Sequence, residues 1–214
     1  MINTERAGTV LVLTFEDGEN RFSLDSLSQW EAVLDEIDDD PSLTALVTTG
    51  AGKFYSNGLD VSVLSGPDCG AYLNRVVSLL AHTLALPVVT VAAVNGHAFG
   101  AGAMLMLAHD VRLMREDRGY FCLPEVDLGL PFMPIMSDLV QAKLSHRTAQ
   151  EAMTLGLRYG GNPALDGGIV HDVASADQLL GRAIELATER GGKDRATLGA
   201  IKADIYGSVL QHRP

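Results

Sequence analysis

Two glycine-bearing segments of the 214-residue chain could present backbone N–H groups to a negatively charged atom. In KFYSNGLD, residues 53–60, the pair Asn57–Gly58 permits a tight turn that lets the N–H groups of Leu59 and Asp60 point outward. In NGHAFGAGAM, residues 95–104, a buried strand breaks at glycines and the chain restarts as a helix at about Gly102. A helix N-terminus carries unpaired donors and the positive end of the dipole, so it favours an oxyanion or a phosphate. The competing reading is two close-packed turns that need small residues for steric reasons alone. One carboxylate, Glu125, stands among Leu123, Pro124 and Val126. It is either an exposed residue at a strand end or a desolvated base whose pKa rises toward neutrality, as proton abstraction requires. Asp127 shares its face if the local segment is extended, and otherwise caps the loop before Gly129.

Other chemistries find no support. GAGAML lacks the third glycine of a dinucleotide fingerprint, and neither a P-loop GK[ST] nor a GxSxG nucleophile elbow occurs. Cys69 and Cys122 form no CxxC pair and no Cys/His ligand set, and read as buried free thiols in a reducing compartment. His82 and His109 fall in helical patterns and read as structural. His97 reads as a turn histidine with a satisfied hydrogen bond, the alternative being contact with a ligand at the second loop. Ser56 and Asn57 are expected to order the first loop.

The elements that must hold these residues follow from periodicity. TVLVLTF, residues 9–15, is β-branched and apolar, a first strand. Leu24, Leu27, Trp30, Leu34 and Ile37 recur at helical spacing, with Ser23 as N-cap and Pro41 as stop. TALVTTG reads as a strand, GAGKF as a turn and YSNGLD as a loop. A second helix covers Ala71 to Leu86, ended by Pro87, and VVTVAAV follows as a buried strand. NGHAFGAG is a turn feeding the short helix AMLMLAH, and VRLM and YFCL are strand-like pieces around REDRG. After Pro134 the chain is mostly helical, broken by glycines. Strand–strand–helix units therefore recur before a helical end, which predicts an α/β layered core over residues 1–157 and a helical tail over 158–214.

Composition bounds the partners. Sixteen basic residues against 27 acidic ones give a net charge of −11, which opposes general binding to nucleic acid or to anionic membranes. An anionic ligand must be met by a local cluster of cations and N–H groups. No stretch offers a clean membrane span of ~20 apolar residues, since Pro87 and Asn95–Gly96 interrupt the uncharged run from Val76 to His109. MINTERAGTV lacks the apolar stretch of a secretory signal, so a cytoplasmic enzyme or binding module is expected.

Three separated segments, FYSNGLD, AAVNGHAFGAGAMLMLAHDVRLM and FCLPEVDLGLP, in this order and spacing resemble the enoyl-CoA hydratase/isomerase (crotonase) superfamily. The resemblance runs from about Thr9 to Ala174, and SNGLD with EVDLGLP is most similar to single-domain Δ3,Δ2-enoyl-CoA isomerases. It implies a crotonase-like spiral of ββα units with a short C-terminal helical tail that builds a homotrimer or hexamer. It implies an acyl-CoA thioester substrate whose oxygen sits between the N–H groups of Leu59 and Ala101, with Glu125 as acid/base. It implies no metal and no redox cofactor, coenzyme A being part of the substrate. The first glutamate of the hydratases falls on Met104, which cannot move the protons of hydration. One remaining carboxylate suits double-bond isomerisation. Asn57, Gly58, Gly100 and Met104 are expected to bind substrate, and Arg21 and Lys53 to meet the CoA phosphates. Met104, Met106, Met133 and Met136 either line the acyl pocket or simply pack in the core. The rival functions are another crotonase-type acyl-CoA reaction such as hydration, and a non-catalytic acyl-CoA-binding subunit.

Overall fold

A computed structural model describes residues 1–64 and 66–214. The chain opens with strands β1 (Ile2–Ala7), β2 (Val10–Phe15) and β3 (Arg21–Phe22), then helix α1 (Leu24–Asp39). Next come β4 (Ala45–Gly50), β5 (Phe54–Ser56), β6 (Gly58–Leu59), α2 (Val61–Leu64) and α3 (Cys69–Ala85). The third passage is β7 (Val89–Val94), β8 (His97–Phe99) and α4 (Ala101–Ala108). The fourth is β9 (Val111–Arg115), β10 (Phe121–Cys122), α5 (Glu125–Leu128), α6 (Pro134–Lys143) and α7 (His146–Leu155). The end holds α8 (Gly161–Asp166), β11 (Asp172–Ala174), α9 (Leu179–Arg190), α10 (Arg195–Ile205) and α11 (Gly207–Leu210).

The six-stranded sheet has the order β1-β2-β4-β7-β9-β11, parallel throughout except for the β1–β2 pair. A second sheet, β10-β8-β5, is parallel, and β3 pairs with β6. The passages beginning at β4, β7 and β9 each place one strand in the large sheet and the next in the smaller one before turning into helix. That repetition is the ββα spiral expected from the sequence.

The central strands are apolar on both faces because both faces are covered. Val47, Val91 and Leu113 face a core closed by Ala183 and Ala187 of α9. Leu46, Ala92 and Met114 face the opposite core, with Trp30 of α1 and Leu80 of α3. Ser23 caps α1 by accepting a hydrogen bond from Ser26 N–H, as its sequence position predicts.

Several segments differ from expectation. YSNGLD is two short strands separated by Asn57, and NGHAFGAG contains β8, with the helix starting at Ala101. Segment 158–214 holds four helices joined by turns and, among them, β11, which adds an edge to the large sheet beside β9. EVDL is one helical turn, not extended chain, so Glu125 and Asp127 point apart. The apolar series Leu198, Ile201, Ile205 and Val209 divides at the end of α10: Ile201 and Ile205 are exposed, while Val209 is buried in α11. Cys122 is a buried free thiol, whereas Cys69 is only half-buried. Among the described residues no helix is long and apolar enough to cross a membrane.

Candidate active site

The two glycine segments meet backbone to backbone. Gly58 holds φ +76°, and a Cβ there would lie 2.7 Å from the Phe99 carbonyl oxygen and 3.0 Å from the Ala101 nitrogen. Only glycine combines that left-handed backbone with so close an approach. Ser56 Oγ donates to the Asn20 carbonyl at 2.7 Å and accepts from Gly58 N–H at 3.2 Å, while Asn57 N–H bonds the Glu19 carbonyl at 3.0 Å. These contacts order the first loop as expected. On the other side Ala101 is the first residue of α4. The first main-chain bond of that helix is Met104 N–H to Gly100 C=O, so the Ala101 N–H has no helical acceptor.

Between the segments lies a cavity of about 370 Å³, a volume suited to a small-molecule ligand. Arg21, Asn57, Leu59, Gly100, Ala101 and Glu125 all line it. Six of the nine residues singled out from the sequence are thus brought together. The wall is apolar, built from Val61, Leu64, Leu73, Phe132, Met133 and Met136.

Three of the nine lie outside the lining. Gly58 sits behind it as the close-approach residue. Met104 is 1% exposed and packs in the core, as does Met106, so of the four methionines only Met133 and Met136 border the cavity. Helix α4 is buried on every face, so a carboxylate in place of the Met104 side chain would stand among apolar neighbours. Lys53 places its ammonium 5.5 Å over the Phe54 ring.

Glu125 is the one acidic side chain among the described residues that line the cavity. Its Oε2 is buried without a hydrogen-bond partner among those residues. Burial raises its pKa to about 7, against a smaller opposing effect of its own backbone N–H. A carboxyl left so poorly solvated is costly to keep ionised, and among the described residues no cation forms an ion pair with it. Asp127 is exposed, away from the cavity, with its Oδ2 2.8 Å from where a Cβ on Gly156 would stand. Of the two alternatives for Asp127, a shared face with Glu125 is therefore excluded by the helical turn.

His109 and His82 are structural as expected. His109 is buried between the Leu105 carbonyl at 2.8 Å and Thr48 Oγ1 at 2.9 Å, and burial lowers its pKa to about 4. His82 bonds Asp38 at 2.7 Å. His97 departs from expectation: its Nδ1 is buried with no partner among the described residues, and its ring packs against Phe54, Phe99 and Tyr120. Burial and the nearby Lys53, Arg118 and Arg158 lower its pKa.

Sequence reasoning missed Phe99, Leu128 and Leu130, which also line the cavity. The two leucines flank Gly129 directly after Glu125, so proximity to the carboxylate was an available signal. Phe99 alternates with buried Ala98 on β8, visible only once that segment is known to be a strand.

The fold and site define a class: an α/β spiral in which two interlocked glycine turns and, among the described residues, one desolvated carboxylate border the same apolar cavity. The chain belongs to the enoyl-CoA hydratase/isomerase family, whose model matches residues 5–209. It is 37% identical over 220 residues to enoyl-CoA delta isomerase 2, peroxisomal, of Arabidopsis thaliana, covering 98% of this chain and 90% of that protein. It is 34% identical over 224 residues to enoyl-CoA delta isomerase 3 of the same plant, covering 99% and 94%. An apo structure of the Mtb enoyl-CoA isomerase superposes with a TM-score of 0.92 at 25% identity, covering 99% of this chain and 93% of that one.

Proposed function

We propose that the chain is a Δ3,Δ2-enoyl-CoA isomerase working by a single-glutamate proton shuttle. The observation that carries this reading is Glu125: a carboxyl whose Oε2 is buried without a hydrogen-bond partner among the described residues, with a pKa of about 7, on a cavity bordered by Leu59 and Ala101. Ionised Glu125 takes a proton from C2 of a 3-enoyl-CoA. The electron pair moves toward the thioester oxygen, which accepts hydrogen bonds from the N–H groups of Leu59 and Ala101. Glu125 then returns the proton to C4, and the double bond lies between C2 and C3. Nothing is oxidised or reduced, so the step calls for no metal or redox cofactor.

Two fixed amides suit this chemistry because the negative charge develops on the oxygen only as the proton leaves. One such donor contributes roughly 3–4 kcal/mol in other oxyanion holes. The apolar wall of Met133, Met136, Leu73 and Phe132 receives the acyl chain, while Asn57 and Arg21 stand at its polar side with Gly58 and Gly100 giving backbone approach. Lys53 and Arg21 remain the candidates for the CoA phosphates. The placement of Met104 in the core favours isomerisation over hydration, which would need a second proton-handling group at the reacting water. The assembly we propose is a trimer or hexamer in the cytoplasm.

The deciding experiment is incubation of the purified protein with a 3-enoyl-CoA, following 2-enoyl-CoA and 3-hydroxyacyl-CoA together. Formation of 2-enoyl-CoA with little hydration is the expected result. Hydration as fast as isomerisation identifies a hydratase, and saturable binding without turnover identifies a binding subunit.

A further inference from the structure

The Leu59–Asp60 peptide is gripped at both of its polar ends. Its carbonyl oxygen accepts a hydrogen bond from Arg21 Nη1 at 2.8 Å. Its N–H, on Asp60, donates to Tyr72 Oη, also at 2.8 Å. Neither partner is free to wander. Arg21 is held by Glu19 Oε2, which accepts from Nε at 2.9 Å and lies 2.8 Å from Nη2, and the same oxygen accepts from Asn57 Nδ2 at 3.0 Å. Tyr72 is a buried residue of α3 whose hydroxyl donates to the Phe22 carbonyl at 2.7 Å. One hydroxyl therefore ties β3, the residue that follows β6, and α3 together.

We infer that Arg21 and Tyr72 are positioning residues that keep the neighbouring Leu59 N–H aimed into the cavity. The inference rests on the oxyanion role proposed above for that amide. The physical need arises at Gly58. With no side chain and φ at +76°, glycine leaves the Gly58–Leu59 peptide able to rotate at little cost unless its far side is anchored. The β3–β6 ladder is only two residues long, pairing Arg21 with Gly58 and Phe22 with Leu59, and gives weak restraint. Fixing the next peptide at both ends removes the rotation at Leu59 that an amide flip would require. A donor must already point at the oxygen when charge develops, because reorienting it during the reaction costs rate. Burial pushes the Tyr72 hydroxyl up to about 12, so it stays protonated and the grip holds across the working pH range.

Tyr72→Phe tests this cleanly, since Tyr72 does not line the cavity and the ring is retained. The direct readout is the thioester C=O stretch of bound 2-enoyl-CoA by Raman difference spectroscopy. In the unaltered protein, hydrogen bonding from the amides lowers this frequency on binding. In Tyr72→Phe the shift should lose half or more of its size. kcat should fall about 10- to 100-fold, the scale of a donor misaimed and less than that of one lost outright. KM, and the pH at which activity half-falls, should stay where they were. Arg21→Met, keeping the aliphatic stem, should reproduce the loss of carbonyl shift and covers the case in which Tyr72→Phe does not fold. A full carbonyl shift and unchanged kcat in a folded Tyr72→Phe overturn the positioning role. The absence of any carbonyl shift in the unaltered protein overturns the oxyanion reading itself, and the positioning role with it.

Discussion

A Cβ placed on Gly100 would stand 3.3 Å from Oε1 of Glu125. The residue before the Ala101 amide therefore also sets the space left to the carboxylate. Gly100 has φ +53° with ψ −124°, a sparsely populated conformation that costs a side-chain-bearing residue about 1–3 kcal/mol. Gly100→Ala is expected to lower kcat by disturbing both the helix start and the carboxylate, with a melting temperature reduced by a few degrees. Steady-state kinetics alongside calorimetry check this, and an alanine variant with full kcat would show that the two groups are not geometrically coupled.

Glu125→Gln keeps the shape of the side chain and removes the base. Turnover should fall by about 10²–10⁴-fold, the usual contribution of a positioned general base. Acyl-CoA binding, measured by calorimetry with a saturated thioester, should persist because Leu59 and Ala101 act through their main chain. Asp127→Asn is the comparison: its carboxylate is exposed and outside the cavity, so its chemistry should be unchanged. Loss of turnover in Asp127→Asn alone would mean that the wrong carboxylate carries the reaction.

What could be read from the chain beforehand divides along physical lines. The long amphipathic helices and the apolar strands were legible because their burial repeats every few residues, as Leu27, Trp30, Leu34 and Ile37 do in α1. Glu125 and the two amide turns were legible because their chemistry resides in local residue types. Strand β1, INTERA, was not: it is an edge strand with mostly exposed side chains, so it carries no apolar alternation. Strand β11 has three residues, too few for a period, and it forms because β9 offers it an edge. The grip of Arg21 and Tyr72 on the Leu59–Asp60 peptide was equally hidden, since it joins residues 38 and 12 positions apart. Met104 shows the reverse limit. Its position in the motif suggested a substrate contact, whereas packing turns its side chain into the core.

Helix α10 leaves Ile201 half exposed at 50% and Ile205 at 62%, one turn apart on the same face. Such apolar side chains are covered at low cost by a second copy of the chain. Sedimentation velocity at micromolar concentration is expected to give a trimer or hexamer. If this face contributes, Ile201→Lys combined with Ile205→Lys should shift the distribution toward smaller species without loss of fold. A stable monomer in the unaltered protein would rule the assembly out.

The titration of Glu125 should appear in both activity and stability, with opposite consequences. Its carboxyl titrates at about 7 in the folded chain because burial disfavours the charged form, against an ordinary value of 4.5. As a base it must be ionised, so kcat/KM should decline below about pH 7, approaching a loss of about tenfold per pH unit. For stability the sign runs the other way. Between pH 4.5 and 7 the folded state keeps a proton that the unfolded state has released. The unfolding free energy therefore falls as pH rises through that window and levels off above it. Glu125→Gln, which has no charge to bury, should match the parent protein near pH 4 and exceed it at pH 8 by up to about 3 kcal/mol. Denaturant unfolding at the two pH values measures the difference. Equal stability gaps at both would mean that Glu125 titrates at its ordinary value, and the acidic fall in activity would then have to move down to the same pH.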